Sequence, residues 1–564
     1  MIESDIFLPE RERLVYRSSM RELQDFNIRS RRGEVLEPAK PVRPAPQPFQ
    51  EVARQAAARC DKLLKILAPE AAISAWFHAK SSAVQALSEL TIIERFLWVL
   101  AACATGDSRD PQVLDRFFLQ AGRWWSGMCA SEAFSELDES VPFAVAGTPG
   151  REFLMRSNSQ AVRYHWISGM ICTEIGRQIE NDDTFSAALP DFTIANVERC
   201  FAVARGYGRD PYGHSLDVVP TATPGMELAR HVAIGAGGLA GQGFETVASS
   251  AEKESRPWVE FADGFVPIGL GTIMRSMERP LISAVDRLLN ESGLARTHKL
   301  NKGELYERVA QACITLSFRP APTSALARPY SIRITADDDG RDIDLAIIDH
   351  SVEIIGETKA MEIPASIKSA ASAFDTQLKK IVQQLEIRLE ALRRGEPLID
   401  GAGTRHKGSN NTIAIGVVLH LYSASLCNPG MLELLPKSVV DERIAIADLH
   451  SWIAILSMMQ TFGELREYLR YRSRLLSLGV TAIEECDFAV AFLNPDRERL
   501  IEDYRLLREA HDSDRAMMLL NGVSISAEIS HDTPRPTNPR VWRQQFYAAA
   551  DVGPPPLGQG DDGS

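Results

Sequence analysis

The run Arg341-Asp-Ile-Asp-Leu-Ala-Ile-Ile-Asp349, followed by Val352-Glu-Ile-Ile-Gly-Glu-Thr-Lys359, constrains this chain more than any other segment. Ile343, Leu345 and Ile347 alternate with Asp342, Asp344 and Ala346, which predicts a strand with one apolar face and acids on the other. The same period of two puts Glu353, Ile355, Glu357 and Lys359 on one side of a second strand. Asp349-His350-Ser351 between them reads as a tight turn, with His350 a turn residue rather than a general base. With His350-Ser351 as a two-residue hairpin loop, Asp349 faces Val352, and counting back puts Asp344 opposite Glu357. Opposed residues share a face, with Cβ atoms roughly 4.5–5.5 Å apart. Two carboxylates that close repel unless a cation lies between them or one takes a proton. Lys359 falls on the same face two residues on. A three-residue loop would spoil this register unless a bulge restored it.

Two carboxylates and a lysine suit phosphodiester hydrolysis. The acids supply oxygen ligands for a hard cation, Mg²⁺ with Mn²⁺ as a substitute, which polarises a phosphoryl oxygen and acidifies bound water. The lysine orients or deprotonates the attacking water, or offsets charge developing on the phosphate.

The pattern Asp-x-Asp-Leu, a short spacer and Glu-x-Lys closing the next strand resembles the PD-(D/E)xK, or restriction-endonuclease-like, superfamily. The matching residues are Asp344, Glu357 and Lys359; the nominal proline is absent, and twelve residues separate the two acids. The resemblance implies a mixed four-stranded sheet between helices, in αβββαβ order, and Mg²⁺-dependent cleavage of DNA or, in some members, RNA. Members also open with a Gly-x-x-aromatic-Glu helix, which Gly303, Tyr306 and Glu307 match in Asn301-Lys-Gly-Glu-Leu-Tyr-Glu307. Asn301 with Glu304 three residues on reads as that helix's start. The resemblance places Glu307 near the metal and Gln377, on a long helix over 363–394, facing the active site. Strands over 412–422 and 443–448 complete the order. The implied metal ligands are Asp344, Glu357 and Glu307; the implied catalytic set adds Lys359 and Gln377.

Elsewhere the chain reads as a multidomain α+β or α/β protein. Residues 1–50 are expected to be an extended arm ending in a proline-rich run, and 51–298 a mainly helical domain, with helical spacing over 51–68, 70–104, 110–128, 160–181 and 194–205. The nuclease-like domain spans 299–455, a helical C-terminal region 456–533 and a disordered tail 534–564. Trp76, Phe77, Phe96, Trp98, Phe117, Phe118, Trp124 and Trp125 are predicted to fill the helical domain's core. The glycine-rich run Gly235–Gly241 follows a segment that looks helical, so it reads as a turn or a close helix contact rather than a dinucleotide loop. His420, inside an apolar run, reads as a core histidine.

The net charge of -13 argues against a protein that coats nucleic acid by bulk charge, but leaves room for a local basic groove. Arg466, Arg470 and Arg474 make one helix stripe, and Arg393, Arg394, Arg405, His406 and Lys407 a second basic cluster. Each is either a solvated, acid-paired face or a phosphate contact beside the cleft, with Tyr468 and Tyr471 as stacking or packing neighbours. Eight scattered cysteines with no C-x-x-C pair fit neither a structural zinc site nor a disulfide framework, and suit a reducing cytosol. No signal peptide or membrane-spanning stretch stands out, so the expected location is cytoplasmic, with no membrane partner. There is no G-x-x-x-x-G-K-[ST] motif, so a motor or sensor would be a separate protein. The expected function is a Mg²⁺-dependent DNA endonuclease of defence or DNA processing. The alternative is an inactive nuclease-like module that binds nucleic acid or a protein.

Overall fold

The structure, a computed structural model, describes residues 7–31, 45–75, 90–135, 165–208, 218–250, 252–269, 277–294, 301–317, 328–329, 332–334, 342–348, 351–360, 378–400, 403–418, 443–459, 461–478, 480–482, 485–494, 496–511 and 517–519. Trp76, Phe77, His350, Gln377, His420 and the expected tail lie outside these residues. The chain is a mixed α/β protein dividing into two compact units, one of residues 1–159, 172–302 and 364–370, the other of 160–171, 303–363 and 371–564. Among the described residues no helix is long and apolar enough to cross a membrane.

The first unit is mainly helical. It contains α1 (Glu10–Arg31), α2 (Gln47–Leu64), α3 (Leu90–Cys103), α4 (Pro111–Ser135), the part of α5 (His165–Glu180) from Cys172 onward, α6 (Asp183–Ala188) and α7 (Ile194–Gly208). Later come α8 (Phe244–Ser249), α9 (Glu252–Ser255) and α10 (Glu278–Glu291). A small sheet runs β1-β4-β3-β2, from β1 (Val219–Pro220), β2 (Ala233–Gly235), β3 (Trp258–Phe261) and β4 (Gly264–Val266). Phe96, Trp98, Phe117, Phe118, Trp124 and Trp125 are buried in its core. Helix α1 replaces much of the expected extended arm. Glu10 and Glu12 suit its N-terminal dipole, and Tyr16 and Met20 pack with Leu8 against Phe49 and Phe134, burying an apolar stripe that an extended chain would leave wet.

The glycine-rich run follows strand β2, where the sequence suggested helix up to the glycines; Met226–Ala229 is α-helical and Arg230–Val232 a 3-10 turn before the strand begins at Ala233. Its amides turn to the end of α3: Gly237 N–H donates to Ala101 O at 2.9 Å and Leu239 N–H to Ala102 O at 2.8 Å. Gly237 does so at φ +69°, a backbone state that favours glycine. The loop therefore satisfies carbonyls left open by the last turn of α3, and these two amides have no capacity left for a phosphate.

The second unit is built on a mixed sheet. Its elements are α11 (Lys302–Ser317), β5 (Arg328–Pro329), β6 (Ile332–Ile334), β7 (Asp342–Ile343), β8 (Leu345–Ile348), β9 (Val352–Lys359), α12 (Lys379–Arg393), β10 (Leu398–Asp400), β11 (Arg405–His406), β12 (Ile413–Val418) and β13 (Ile444–Asp448). Then follow α13 (Leu449–Met458), α14 (Phe462–Ser477), β14 (Val480–Ala482), α15 (Glu485–Leu493), α16 (Arg497–His511) and β15 (Met517–Leu519). The central order is β13-β12-β9-β8-β5. Strands β13, β12 and β9 are parallel, and β8 and β5 continue antiparallel. A second sheet runs β11-β10-β6-β7. Strands β8, β12 and β13 are buried throughout, the pattern of a sheet covered on both faces, and α12 and α13 pack onto it.

Strands β8 and β9 pair Leu345 with Gly356, Ala346 with Ile355 and Ile347 with Ile354, the register in which Asp344 comes opposite Glu357. Ile348, however, pairs with Val352, so three residues rather than two separate the paired ends. Glu353 is the extra residue of a bulge that restores the register. A change of sheet occurs at Asp344. Pro329 pairs with Ile347 in the central sheet, while Ile332 pairs with Ile343 in the second sheet, so the two ladders part on either side of this residue. Asp344 itself is the bend between β7, in the second sheet, and β8, in the central one. The acid-bearing face thus extends only to this bend, and β8 beyond it is wholly interior.

Gly356 sits where β8 and β9 come closest, and an added Cβ would lie 2.8 Å from Leu345 Cδ2 and 3.0 Å from Leu345 Cβ. Gly356→Ala is expected to destabilise the protein by about 1–3 kcal/mol, the usual effect of overpacking. Urea unfolding of the two proteins measures it.

Candidate active site

Strand β9 lies between β8 and β12, so its last residues enter the interior. Glu357 is only 2 % exposed. A carboxylate there needs partners, because burying an unpaired charge costs several kcal/mol. It has two. Lys359 Nζ donates to Oε1 at 2.7 Å, and Arg388 Nη1, from α12, donates to Oε2. The Lys359 bond shows the two side chains on one side of β9, as the period of two predicts. Arg388 falls on the stripe Ile381, Leu385, Arg388, Leu392, all buried.

Asp344 is held at both ends. Its Oδ2 accepts from Thr358 N–H at 2.8 Å and from Thr358 Oγ1–H at 3.3 Å, so the side chain takes over where the ladder of β8 stops. Its backbone carbonyl accepts from Gln311 Nε2 on α11. Glu307 lies one helical turn before Gln311, on the same side of α11. Burial, then the charges of Asp344 and Glu357, push its carboxyl up to about 7 against the pull of Lys359. Asp344 is also raised, by burial first and then by Glu357. Burial alone would lower Lys359, but its bond to Glu357 and the three acids around it outweigh that and raise it.

Of the residues predicted from sequence, Asp344, Glu357, Lys359 and Glu307 form one electrostatic group. Gln377 lies outside the described residues. Arg405 and Lys407 are exposed at and just beyond β11, while His406 bonds Asp400 at 3.0 Å. The helix stripe is largely acid-paired: Arg466 meets Glu353 at 2.7 Å and Arg474 meets Glu498 at 2.9 Å, with Arg470 exposed. In the second cluster Arg394 meets Glu396 at 2.9 Å and Arg393 lies 3.8 Å from Glu390. Tyr468 and Tyr471 are buried packing residues, Tyr468 donating to Glu485 at 2.8 Å. Sequence reasoning missed Arg388, Thr358 and Gln311. Arg388 had a signal, an arginine at a core position of an amphipathic helix. Gln311 had a weaker one, its four-residue spacing from Glu307.

Three carboxylates, two of them pushed toward protonation by burial and mutual repulsion, suit a hard divalent cation. Among the described residues no hydrogen bond reaches Asp344 Oδ1 or the Glu307 carboxyl, which leaves oxygens for such an ion. Among the same residues no three acidic, histidine or cysteine side chains already stand as a ready-made metal site. No protein-family model, curated protein or solved structure matches the chain.

The raised Glu307 has a measurable consequence. Its folded value, about 7, exceeds the ordinary 4.5, so its protonated form is the one folding favours. Stability from this group is full below 4.5 and is lost as pH rises through 7. Metal-free Glu307→Gln is therefore expected to melt with the wild type near pH 4.5 and above it at pH 8. Thermal melts in chelator across that range check the sign.

Proposed function

We propose that the second unit carries a divalent-cation-dependent nuclease site hydrolysing phosphodiester bonds, in DNA before RNA. The observation that carries this reading is the convergence of Asp344, Glu357 and Lys359 through the β8–β9 register, with Glu307 brought in by α11. The topology supports a restriction-endonuclease-like core: a helix, an antiparallel hairpin bearing the acids, a helix, then β12 parallel to β9.

Asp344, Glu357 and Glu307 would hold Mg²⁺ or Mn²⁺. The ion, when bound, supplies Lewis-acid polarisation of the phosphoryl group and a more acidic water. Lys359, whose proton is held more tightly than usual, works as a cation: it orients the attacking water and offsets charge building on the phosphate, and is not a base at neutral pH. Thr358 and Gln311 fix Asp344 from two directions, so little of its motion remains to be frozen on binding. The resemblance places such an enzyme in DNA processing or in defence against foreign DNA, alongside a separate motor or sensor protein.

One observation favours the alternative, a non-catalytic module that binds nucleic acid or a protein. Both oxygens of Glu357 already have cationic partners. Cleavage decides between them. The wild type with Mg²⁺ is expected to nick supercoiled plasmid. Glu357→Gln and Lys359→Met should each lose at least ~100-fold in rate, the scale of removing a transition-state charge contact, while their melting curves stay cooperative. Wild-type protein that binds plasmid but leaves it, linear duplex, single strand and RNA uncut would favour the binding module.

A further inference from the structure

Arg388 has no part in the motif that points to the site, yet it makes the most buried contact there. Its side chain is 3 % exposed, and that of Glu357 2 %. An apolar residue at this position would continue the stripe of Ile381, Leu385 and Leu392 without the desolvation cost of a guanidinium. Packing therefore does not explain the arginine; its effect on Glu357 does. The two cations approach Glu357 differently. Arg388 reaches Oε2 through Nη1 from a buried position on a helix, the stiff planar guanidinium setting the direction of that one bond. Lys359 reaches Oε1 on a flexible stem with 28 % of its side chain exposed. The charge of Arg388 also acts on Asp344, lowering it against burial.

We propose that Arg388 is a positioning residue: it pins Glu357 by Oε2 and so presents Oε1, the oxygen shared with Lys359, to an incoming divalent cation. This rests on the nuclease reading. Arg388 touches neither substrate nor ion. It acts by setting the plane of the carboxylate, and its positive charge slightly opposes cation binding. Removing it should therefore divide two quantities that a merely structural support would move together. Cation affinity should hold or tighten, while turnover falls because the carboxylate is free to turn.

The test uses the full-length chain as wild type, Arg388→Met and Arg388→Lys. Mn²⁺ affinity is measured by calorimetry, and plasmid nicking at saturating Mn²⁺ gives kcat and KM. Arg388→Met is expected to bind Mn²⁺ at least as tightly as wild type, with KM for DNA little changed and kcat down ~100-fold, the scale of a misplaced catalytic group. Arg388→Lys, which keeps the charge but loses the planar guanidinium, should recover ~10-fold of that loss. A folded Arg388→Met with wild-type kcat overturns the proposal and leaves the nuclease reading standing. So does one that loses Mn²⁺ affinity and kcat together. If Arg388→Met fails to fold, Arg388→Lys decides: lower kcat at unchanged Mn²⁺ affinity supports the proposal, and unchanged kcat overturns it. Wild-type protein that neither binds Mn²⁺ nor cuts overturns the nuclease reading, and this proposal with it.

Discussion

A buried carboxylate between two cations organises the second unit. Glu357 is 2 % exposed on β9, one residue past the last pair with β8 and still paired with β12. Its charge survives there only because the chain returns through α12 and sets Arg388 against it, and because β9 continues two residues to Lys359. Breaking a buried pair by removing one partner costs about 3–5 kcal/mol, far more than the pair contributes against an apolar replacement. Stability alone thus gives the fold little reason to bury this trio. On the nuclease reading, a requirement for a fixed carboxylate oxygen beside a lysine gives it one.

Asp344 shows how the backbone serves the same end. A strand that stayed in one sheet would project its residues at fixed intervals into covered faces. The chain instead bends at Asp344 as it passes from the second sheet to the central one. Here the bend turns the carboxylate to the Thr358 amide, while Oδ1 remains free of hydrogen bonds among the described residues. The bulge at Glu353 keeps Asp344 in step with Glu357 despite the longer turn, and the Glu353–Arg466 bond ties that bulge to α14.

Much of this was legible in the sequence, and the failures have physical causes. Period two in 352–359 gave the shared side of Glu357 and Lys359, since alternation follows from strand geometry whatever surrounds it. The opposition of Asp344 and Glu357 was legible as a register, but the loop length was not, because one added loop residue and one bulge cancel and leave no trace in the hydrophobic pattern. Arg388 was hidden for a different reason: a charged residue on a helix is usually solvated, and only the fold reveals that this one lies across from a buried acid. Helix α1 was hidden because its apolar residues do not keep to one stripe, Leu14 and Val15 standing exposed beside the buried Tyr16 and Met20, so the pattern suggested an arm where packing on Phe49 and Phe134 makes a helix. The two-residue strands β5, β7 and β11 are too short to carry a period at all.

Charge counting links the site to the order in which it would fill. With Glu307 ionised, three carboxylates face Lys359 and Arg388, which leaves one negative charge in a partly buried space. The molecule relieves that charge by favouring a proton on Glu307 near neutrality. A divalent cation, if held there as the nuclease reading requires, would do the same more completely and leave the site one charge positive, which a phosphodiester would cancel. On the nuclease reading, the metal-free site, neutral once Glu307 holds its proton, has no charge with which to draw a phosphodiester, and the loaded site does, although the chain as a whole carries a charge of -13. A local reversal of this kind matters because charges separated by more than about 8 Å are largely screened in physiological salt. Affinity for the backbone of a nucleic acid would then follow occupancy of the cation site more closely than the acidic surface. It would also owe little to the arginines of α14, of which Arg466 and Arg474 are already committed to Glu353 and Glu498.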